Sequence, residues 1–250
     1  MGKKILLLAV VIGVTCLCSS KVFALDFLGP PASSLLKGQT SVGLAYLSGQ
    51  LDLDVDLKAG SEVLKGELDG VKQQRAFVDL SCGLADNIDI FGRIGGSRLD
   101  IEESLFIDPD MGLALGGGLR GTIYEQNGTK FGAVGVFNWS QTKDQIKPLS
   151  VEEPYQSAEI EYTEVVLACG VDHPLAENVH VYGGPFFYWL DGDLEGKGEE
   201  GKIDGDIEES GNFGGYLGGL FQITDNWSLA AEFQWAKGAS GFGVNGIWRF

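Results

Sequence analysis

The last ten residues of the chain, GFGVNGIWRF (residues 241–250), decide its fold. Every second position on one side of this stretch is apolar or glycine: Phe242, Val244, Gly246, Trp248 and Phe250. The positions between them are smaller and mostly polar, and such a period of two predicts a β-strand. A chain terminus normally frays into water. A strand that stays apolar to its final residue therefore predicts an apolar environment along its whole length.

The first 24 residues predict export. Two lysines precede an apolar run, and Val22-x-Ala24 provides the small residues of a cleavage site, which together indicate a secretory signal peptide cut after Ala24. The apolar run is shorter than the roughly 20 residues that a membrane-spanning helix needs. A lipid-modified Cys16 is the alternative. We expect a signal peptide at 1–24, a short periplasmic segment at 25–38 and one β-barrel at 39–250.

Composition limits the function of the mature chain. Without the signal peptide, 15 basic residues stand against 35 acidic ones. This excess of acid argues against nucleic-acid binding, which depends on basic patches. Only Cys82 and Cys169 remain, so no disulfide framework is expected. The strands predicted below place both cysteines on the apolar face, which we expect to contact lipid, and on two strands that are not neighbours. Because a disulfide needs Cα atoms within about 7 Å, we expect free thiols.

Short turns and long acidic segments alternate along the chain. Tight turns are predicted at 86–87, 126–128, 177–178 and 225–226, where Asn and Asp favour turn conformations. Long acidic outer loops are predicted at 50–70, 97–110, 140–156 and 191–210. The last of these also alternates like two strand extensions around residues 198–201. The predicted strands lie near 39–48, 72–84, 87–97, 111–123, 130–140, 157–171, 178–191, 211–223, 226–237 and 241–250.

The two faces of these strands distinguish a membrane barrel from a soluble ligand-binding barrel. One face is apolar, and its members include Val78, Leu80, Ile88, Ile90, Val165, Leu167, Leu229, Phe233 and Trp248. The other carries small residues with sparse charges, which suits a narrow interior better than a solvated surface. The five tryptophans, at 139, 189, 227, 235 and 248, gather at strand ends, as in the aromatic girdles of membrane barrels. The pattern predicts an all-β fold: a single antiparallel up-and-down transmembrane β-barrel of about ten strands, with eight or twelve as alternatives.

The signal peptide, the hairpins such as GLADNIDIFGRIGG and the terminal aromatic strand resemble small bacterial outer-membrane β-barrel proteins of the OmpA type. The resemblance implies a monomer in the outer membrane of a Gram-negative cell. Its implied partners are outer-membrane lipids, lipopolysaccharide and the outer-membrane assembly machinery. It also implies that Phe242, Val244, Trp248 and Phe250 form the assembly signal. We expect no soluble peptidoglycan-binding domain after the barrel.

Seven charged residues fall on the predicted lumen face: Arg75, Asp79, Arg93, Arg120, Glu164, Glu232 and Arg249. Buried charges are costly unless they are paired, so we expect a structural salt-bridge network in a lumen mostly filled by side chains. A small pore for ions or solutes is the alternative function.

An outer-membrane enzyme, either a protease or a lipid-modifying enzyme, is a further alternative. However, the only two histidines, His173 and His180, both fall near the predicted periplasmic rim, so we expect no catalytic site. The segment from Asp191 to Gly196 begins like a calcium loop, but Lys202 occupies the position of the expected bidentate glutamate. We expect no cofactor and no dedicated metal site. The predicted role is structural or surface-interacting.

Overall fold

A computed structural model describes residues 26–59, 62–100, 111–146, 156–198, 201–209 and 212–250. The expected signal peptide, 1–24, lies outside these residues. Within them the chain forms one antiparallel sheet that closes on itself as a barrel. No helix in the described part of the chain is long and apolar enough to cross a bilayer.

Eleven strands make up the described sheet. Their bounds are β1 Thr40–Ala59, β2 Glu62–Ala85, β3 Ile88–Asp100, β4 Gly112–Gln126, β5 Thr129–Ile146, β6 Gln156–Ala176, β7 Val179–Gly198, β8 Gly201–Glu209, β9 Phe213–Gln222, β10 Trp227–Ala236 and β11 Ala239–Arg249. Tight turns join β2–β3, β4–β5, β6–β7 and β9–β10 at one end of the barrel, here called the short-turn rim.

Strands β8 and β9 are two parts of one barrel strand. Strand β7 pairs with β8 near the outer end and with β9 nearer the short-turn rim. Strand β9 then pairs with β10, whereas β8 passes above the short β10–β11 hairpin and pairs with β1, placing Leu53 opposite Glu209. The barrel therefore has ten strands, which confirms the predicted number.

The terminal strand closes the barrel as its alternation predicted. Strand β11 pairs with β10 on one side and with β1 on the other, with Ser41 opposite Arg249. The N–H of Phe250 donates to the carbonyl of Thr40 at 2.9 Å. The turn before β11 is shorter than predicted, because β11 already begins at Ala239. Gly238 adopts a φ of 68°, which glycine tolerates best.

Two predicted outer loops are wrong, because strands fill most of them. Residues 50–70 form the outer ends of β1 and β2, and residues 191–210 form those of β7 and β8. In LDLDVD (residues 51–56) the apolar side chains point inward and the acids point outward, which is what a strand requires. The break between β7 and β8, from Gly198 to Gly201, lies where the alternation placed it. These extensions form an outer sheet in the order β2-β1-β8-β7-β6-β5.

The outside of the barrel is an apolar belt. The predicted lipid-facing residues lie on it, and Leu80 and Leu167 are more than half exposed. Trp139, Trp189 and Trp235 lie toward the outer end of the belt. Trp227 and Trp248 lie at the short-turn rim, with ring centroids 4.7 Å apart in an edge-on contact. Such a large continuous apolar surface, edged by aromatic rings, matches the surface of a membrane-embedded barrel.

The N-terminal segment lies inside the barrel. We expected residues 25–38 to form a short periplasmic segment, but the side chains of Asp26, Phe27, Leu28, Ala32 and Leu35 are buried in the interior. Residues 26–35 are here called the strap. The strap changes what the interior can do, because it occupies space that a pore would need.

Candidate functional site: the occupied barrel interior

The interior wall carries the predicted charged residues. Arg75, Asp79, Arg93, Glu164 and Glu232 point inward and are almost completely buried. Their strands alternate, so each inward charge is flanked by two side chains that face outward.

Asp26 of the strap is the centre of the charge network. Its carboxylate binds the guanidinium of Arg93 and accepts a hydrogen bond of 2.7 Å from Asn138 Nδ2. Arg75 Nη1 lies 3.8 Å from its other oxygen. The backbone carbonyl of Asp26 accepts from Gln234 Nε2 at 2.5 Å. Asp26 therefore joins β2, β3, β5 and β10 across the lumen.

The side chain of Glu232 binds the backbone of the strap. Its two carboxylate oxygens accept from the N–H groups of Leu28 and Gly29, at 3.0 and 2.9 Å. Gln234 Nε2 donates to the same carboxylate at 2.6 Å. Gly29 has a φ of 69°, in a region where glycine carries no steric cost. This conformation lets two successive N–H groups reach one carboxylate.

A second carboxylate holds the strap nearer the short-turn rim. Asp89 accepts from the hydroxyl of Ser33 at 2.7 Å and from the N–H of Ser34 at 2.8 Å. Arg120 Nη1 donates to the carbonyl of Pro30 at 3.4 Å. The wall also makes room for the strap at Gly132, since a Cβ there would lie 2.6 Å from the Cα of Ala32.

A buried polar layer lies outward of Asp26. Arg75 Nη2 and Glu164 Oε2 form an ion pair at 2.5 Å, with both side chains 1% exposed. The hydroxyl of Tyr162 lies 2.7 Å from Ser97 Oγ and accepts from Gln73 Nε2 at 3.0 Å. This layer separates the strap from the outer half of the interior.

Apolar side chains fill the outer half of the interior. The inward residues of the outer strand ends pack together and are all nearly inaccessible: Leu51, Leu53, Val55, Val71, Leu99, Ile160, Leu190 and Ile207. The described interior thus contains three successive layers, which are the strap, the polar layer and this apolar core.

The structure brings some of the predicted lumen charges together and leaves others apart. Arg75 pairs with Glu164, and Arg93 Nε lies 3.3 Å from Asp79 Oδ1. Glu232 binds the strap instead of an arginine. Arg120 reaches a strap carbonyl and packs over Phe91, with its guanidinium carbon 5.0 Å from the ring centroid. Arg249 lies partly buried near the short-turn rim and forms no ion pair with any described residue.

Sequence reasoning missed Asp26, Asn138, Gln234 and Asp89, which complete the network. A signal for Asp26 was present in the segment DFLGPPASSLL (residues 26–36), which carries only one charge among apolar and small residues. A solvated linker is usually polar. The uncharged stretch after an acidic residue was compatible with a buried segment.

The two histidines lie near the short-turn rim. His173 Nδ1 is 2.8 Å from Thr129 Oγ1, and His180 Nδ1 is 2.9 Å from Asp172 Oδ1. Neither is near the outer rim, where the acidic side chains of the outer sheet lie.

The outward face of the outer sheet carries many carboxylates. Asp191, Asp193 and Glu195 alternate along one strand instead of converging as in a calcium loop. Among the residues that the structure describes, Asp52, Glu67 and Asp69 bring ligand oxygens within 4.8 Å of one another. Asp52 already accepts from the N–H of Gly70 at 2.8 Å.

Cys82 and Cys169 are free thiols, as predicted. They lie on β2 and β6, which are not neighbours, and both point out of the barrel.

Similarity to known proteins is found among solved structures. No family model matches the chain, and no curated protein matches it. Solved structures similar to it include the outer membrane protease OmpT from Escherichia coli (10% identity, 90% of this chain and 97% of that chain, TM-score 0.48). The translocator domain of the autotransporter NalP from Neisseria meningitidis is similar too (11% identity, 87% and 90% covered, TM-score 0.48). So is Ail, the attachment invasion locus protein of Yersinia pestis (15% identity, 86% and 100% covered, TM-score 0.37).

Proposed function

We propose that the protein is an integral outer-membrane β-barrel with a closed interior and a structural or surface-interaction role. The observation that carries this proposal is the filling of the interior by three layers: the strap, the polar layer around Arg75 and Glu164, and the apolar core. A barrel of this size has an interior that side chains can fill. The arrangement therefore favours a sealed barrel over a small pore.

The apolar belt supports insertion in a membrane. Leucine, isoleucine and aromatic side chains cover the barrel wall where a soluble protein would place charges. A closed sheet also leaves no unpaired strand edge in lipid, because β11 pairs with β1. The expected signal peptide and the terminal aromatic strand support export to the outer membrane of a Gram-negative cell.

The outer sheet is the part of the molecule best placed for surface interaction. It continues β1, β2 and β5–β8 beyond the tryptophans of the belt, and its outer face is acidic. We propose that it meets the lipopolysaccharide layer and the medium, and that the barrel functions as a monomer. An enzymatic role receives no support from the two histidines, which lie near the short-turn rim.

Planar-bilayer recording tests the closed interior. The purified protein is expected to shift its gel mobility on heating, as folded membrane barrels do, and to show no stable conductance steps after insertion. An open porin inserted into the same lipids provides the control for detection. Large, stable conductance steps from the folded protein would establish the pore alternative. A protein that stays in solution without detergent would contradict membrane insertion.

A further inference from the structure

An apolar groove with a volume of about 470 Å³ lies on the outside of the barrel, toward the outer end of the belt, on β7, β9 and β10. Its floor is at Gly215, which lies opposite Pro185 on β7 and opposite Trp235 on β10. The six-membered ring of Trp235 lies across this glycine, because a Cβ added to Gly215 would be 2.7 Å from Cζ2 of the indole. Phe213, two residues along β9, also lines the groove and is exposed. The groove is therefore a gap in a belt of large side chains.

A lysine lies at the outer end of this groove. Lys237 begins the turn between β10 and β11, lines the groove and is exposed. Two other exposed lysines have acidic partners, Asp56 for Lys65 and Glu159 for Lys143, whereas Lys237 forms no ion pair within the described part of the chain. Its ammonium group is therefore available to an anion from outside the protein.

The position of Lys237 places it among lipid headgroups. Strand β10 spans the belt between Trp227 at the short-turn rim and Trp235 toward the outer end. Tryptophans gather where the apolar core of a bilayer meets its headgroups, and Lys237 lies two residues beyond Trp235. In the orientation proposed above, this leaflet contains lipopolysaccharide, whose lipid anchor, lipid A, carries acyl chains on a phosphorylated disaccharide. A groove for an acyl chain and a cation for a phosphate thus meet at one place.

A second groove on the belt has a similar size but no cation. Its volume is about 540 Å³, it lies at the short-turn rim, and its lining includes Val42, Leu80, Ile90 and Phe250. Among the described residues, no lysine or arginine lines it. An acyl chain can contact this surface as well, but a phosphate finds no positive charge there. The second groove is therefore an internal control for the first.

We propose that the groove at Gly215 and Lys237 binds one molecule of lipid A. An acyl chain lies on Gly215 against the ring of Trp235, and the ammonium group of Lys237 binds a phosphate. The phosphates of lipid A are monoesters, which carry more negative charge at neutral pH than the diester of a phospholipid. Charge complementarity therefore favours lipid A over phospholipids. This inference rests on the proposed insertion in the outer membrane with the outer sheet on the cell surface.

Recovery of quenched fluorescence tests the site in the full chain. One variant keeps Trp235 as its only tryptophan and another keeps only Trp248, which contacts Phe250 of the second groove, with the other tryptophans replaced by phenylalanine. Both are inserted into vesicles of phosphatidylcholine with brominated acyl chains, which quench indole fluorescence on contact. Lipid A without bromine then replaces about a tenth of the lipid. One lysine near a membrane surface favours an anionic lipid roughly fivefold, so Trp235 is expected to lose about a third of its quenching. Trp248 is expected to lose about a tenth, which is dilution alone.

The charge is tested by changing each partner. Lys237→Gln, or lipid A without its phosphates, is expected to reduce the recovery at Trp235 to that of dilution. Phosphatidylglycerol, a phosphodiester, is expected to restore less fluorescence than lipid A. Equal recovery with the two lipids would assign the site to phospholipids and overturns the inference. Equal recovery at Trp235 and Trp248 overturns it too, whereas a lack of quenching at both tryptophans would contradict the membrane insertion on which it rests.

Native mass spectrometry with all five tryptophans in place covers the case in which a single-tryptophan variant does not fold. The protein is titrated with lipid A in detergent, and Lys237→Gln is expected to lower the affinity for the first bound molecule roughly fivefold. Lys37→Gln is the matched control, because Lys37 is an exposed lysine at the short-turn rim, and it is expected to leave the affinity unchanged. Equal affinities of the unchanged protein and the Lys237→Gln protein would show that the inference is wrong.

Discussion

Two ion pairs in this molecule have the same length and very different surroundings. Arg75–Glu164 and Lys65–Asp56 both measure 2.5 Å between nitrogen and oxygen. The first pair is 1% exposed on both sides, whereas Lys65 is 76% exposed. Water competes for the exposed pair and screens it, so its net effect on stability is small. Water does not reach the buried pair, so it cannot replace either partner.

Glu164→Ala is therefore expected to lower the free energy of unfolding by about 3–5 kcal/mol, because it leaves Arg75 buried without its carboxylate. Urea unfolding in lipid vesicles, followed by tryptophan fluorescence, measures the change. Asp56→Ala is the matched control for an exposed pair, and its effect is expected to lie within experimental error. Equal effects of the two substitutions would show that burial does not set the strength of these pairs.

At the residue scale, alternation predicted which way a side chain points but not which partner it meets. Arg75, Asp79, Arg93, Glu164 and Glu232 all face inward, as the period of two indicated. The partner of Glu232 is the backbone of the strap, and no pattern in β10 contains that information. Asp26 joins residues from four strands, and such long-range contacts follow from barrel closure and not from local sequence.

At the scale of elements, the closing strand makes contacts to its last residue. The N–H of Phe250 binds Thr40, and its ring lies 6.2 Å from that of Trp248. Trp248 in turn contacts Trp227 across the β10–β11 pair. These contacts fix the seam between the first and last strands at the short-turn rim.

Deletion of Phe250 is expected to reduce the amount of folded protein in the outer membrane severalfold and to raise its degradation before insertion. The physical reason is loss of the final seam hydrogen bond and of the terminal aromatic that we expect to act in the assembly signal. Membrane fractionation and heat-dependent gel mobility measure the effect in a Gram-negative host.

Phe137→Ala is the control, because it removes an aromatic side chain of the belt that is also exposed but lies far from the seam. Equal amounts of folded, membrane-embedded protein with and without Phe250 would contradict an assembly role.

The strand order and the tight turns could be predicted from sequence, whereas the outer strand ends could not. Asp, Glu and Gly have low strand propensity, and the acidic composition of 50–70 and 191–210 indicated loops. The alternation within LDLDVDL carried the correct signal. The acidic composition indicated loops where strands form, because the outward face of the outer sheet is exposed and can carry acids. The inward face of the same sheet packs in the apolar core.

At the scale of the whole molecule, the excess of acid is concentrated in rows across the outer sheet. Glu67 lies opposite Asp54, Asp54 opposite Glu208, and Glu208 opposite Asp191. Like charges directly opposite one another on neighbouring strands destabilise a sheet. The formal charge of the chain, −17 at pH 7, adds to this repulsion.

Asp54→Asn is expected to stabilise the protein by several tenths to about 1 kcal/mol at low salt, because it removes the middle of this row. The gain is expected to shrink toward zero near 1 M salt, where the screening length is only about 3 Å. Thermal unfolding over a salt series measures both effects. Asp56→Asn, two residues along the same strand, loses its pairing with Lys65 and is expected to gain nothing. A gain for Asp54→Asn that persists unchanged at high salt would point to a cause other than charge repulsion.

The positions of Asp26 and Phe250 have a practical consequence for anyone who labels or displays this protein. Asp26 lies at the centre of the barrel and Phe250 lies at the seam, so residues inserted next to either one compete with a structural contact. The paired strand ends of two hairpins, Ala59 with Glu62 and Gly198 with Gly201, lie at the far end of the outer sheet. Hairpin tips are the sites that best tolerate inserted residues. An epitope for cell-surface detection therefore belongs at one of these two tips.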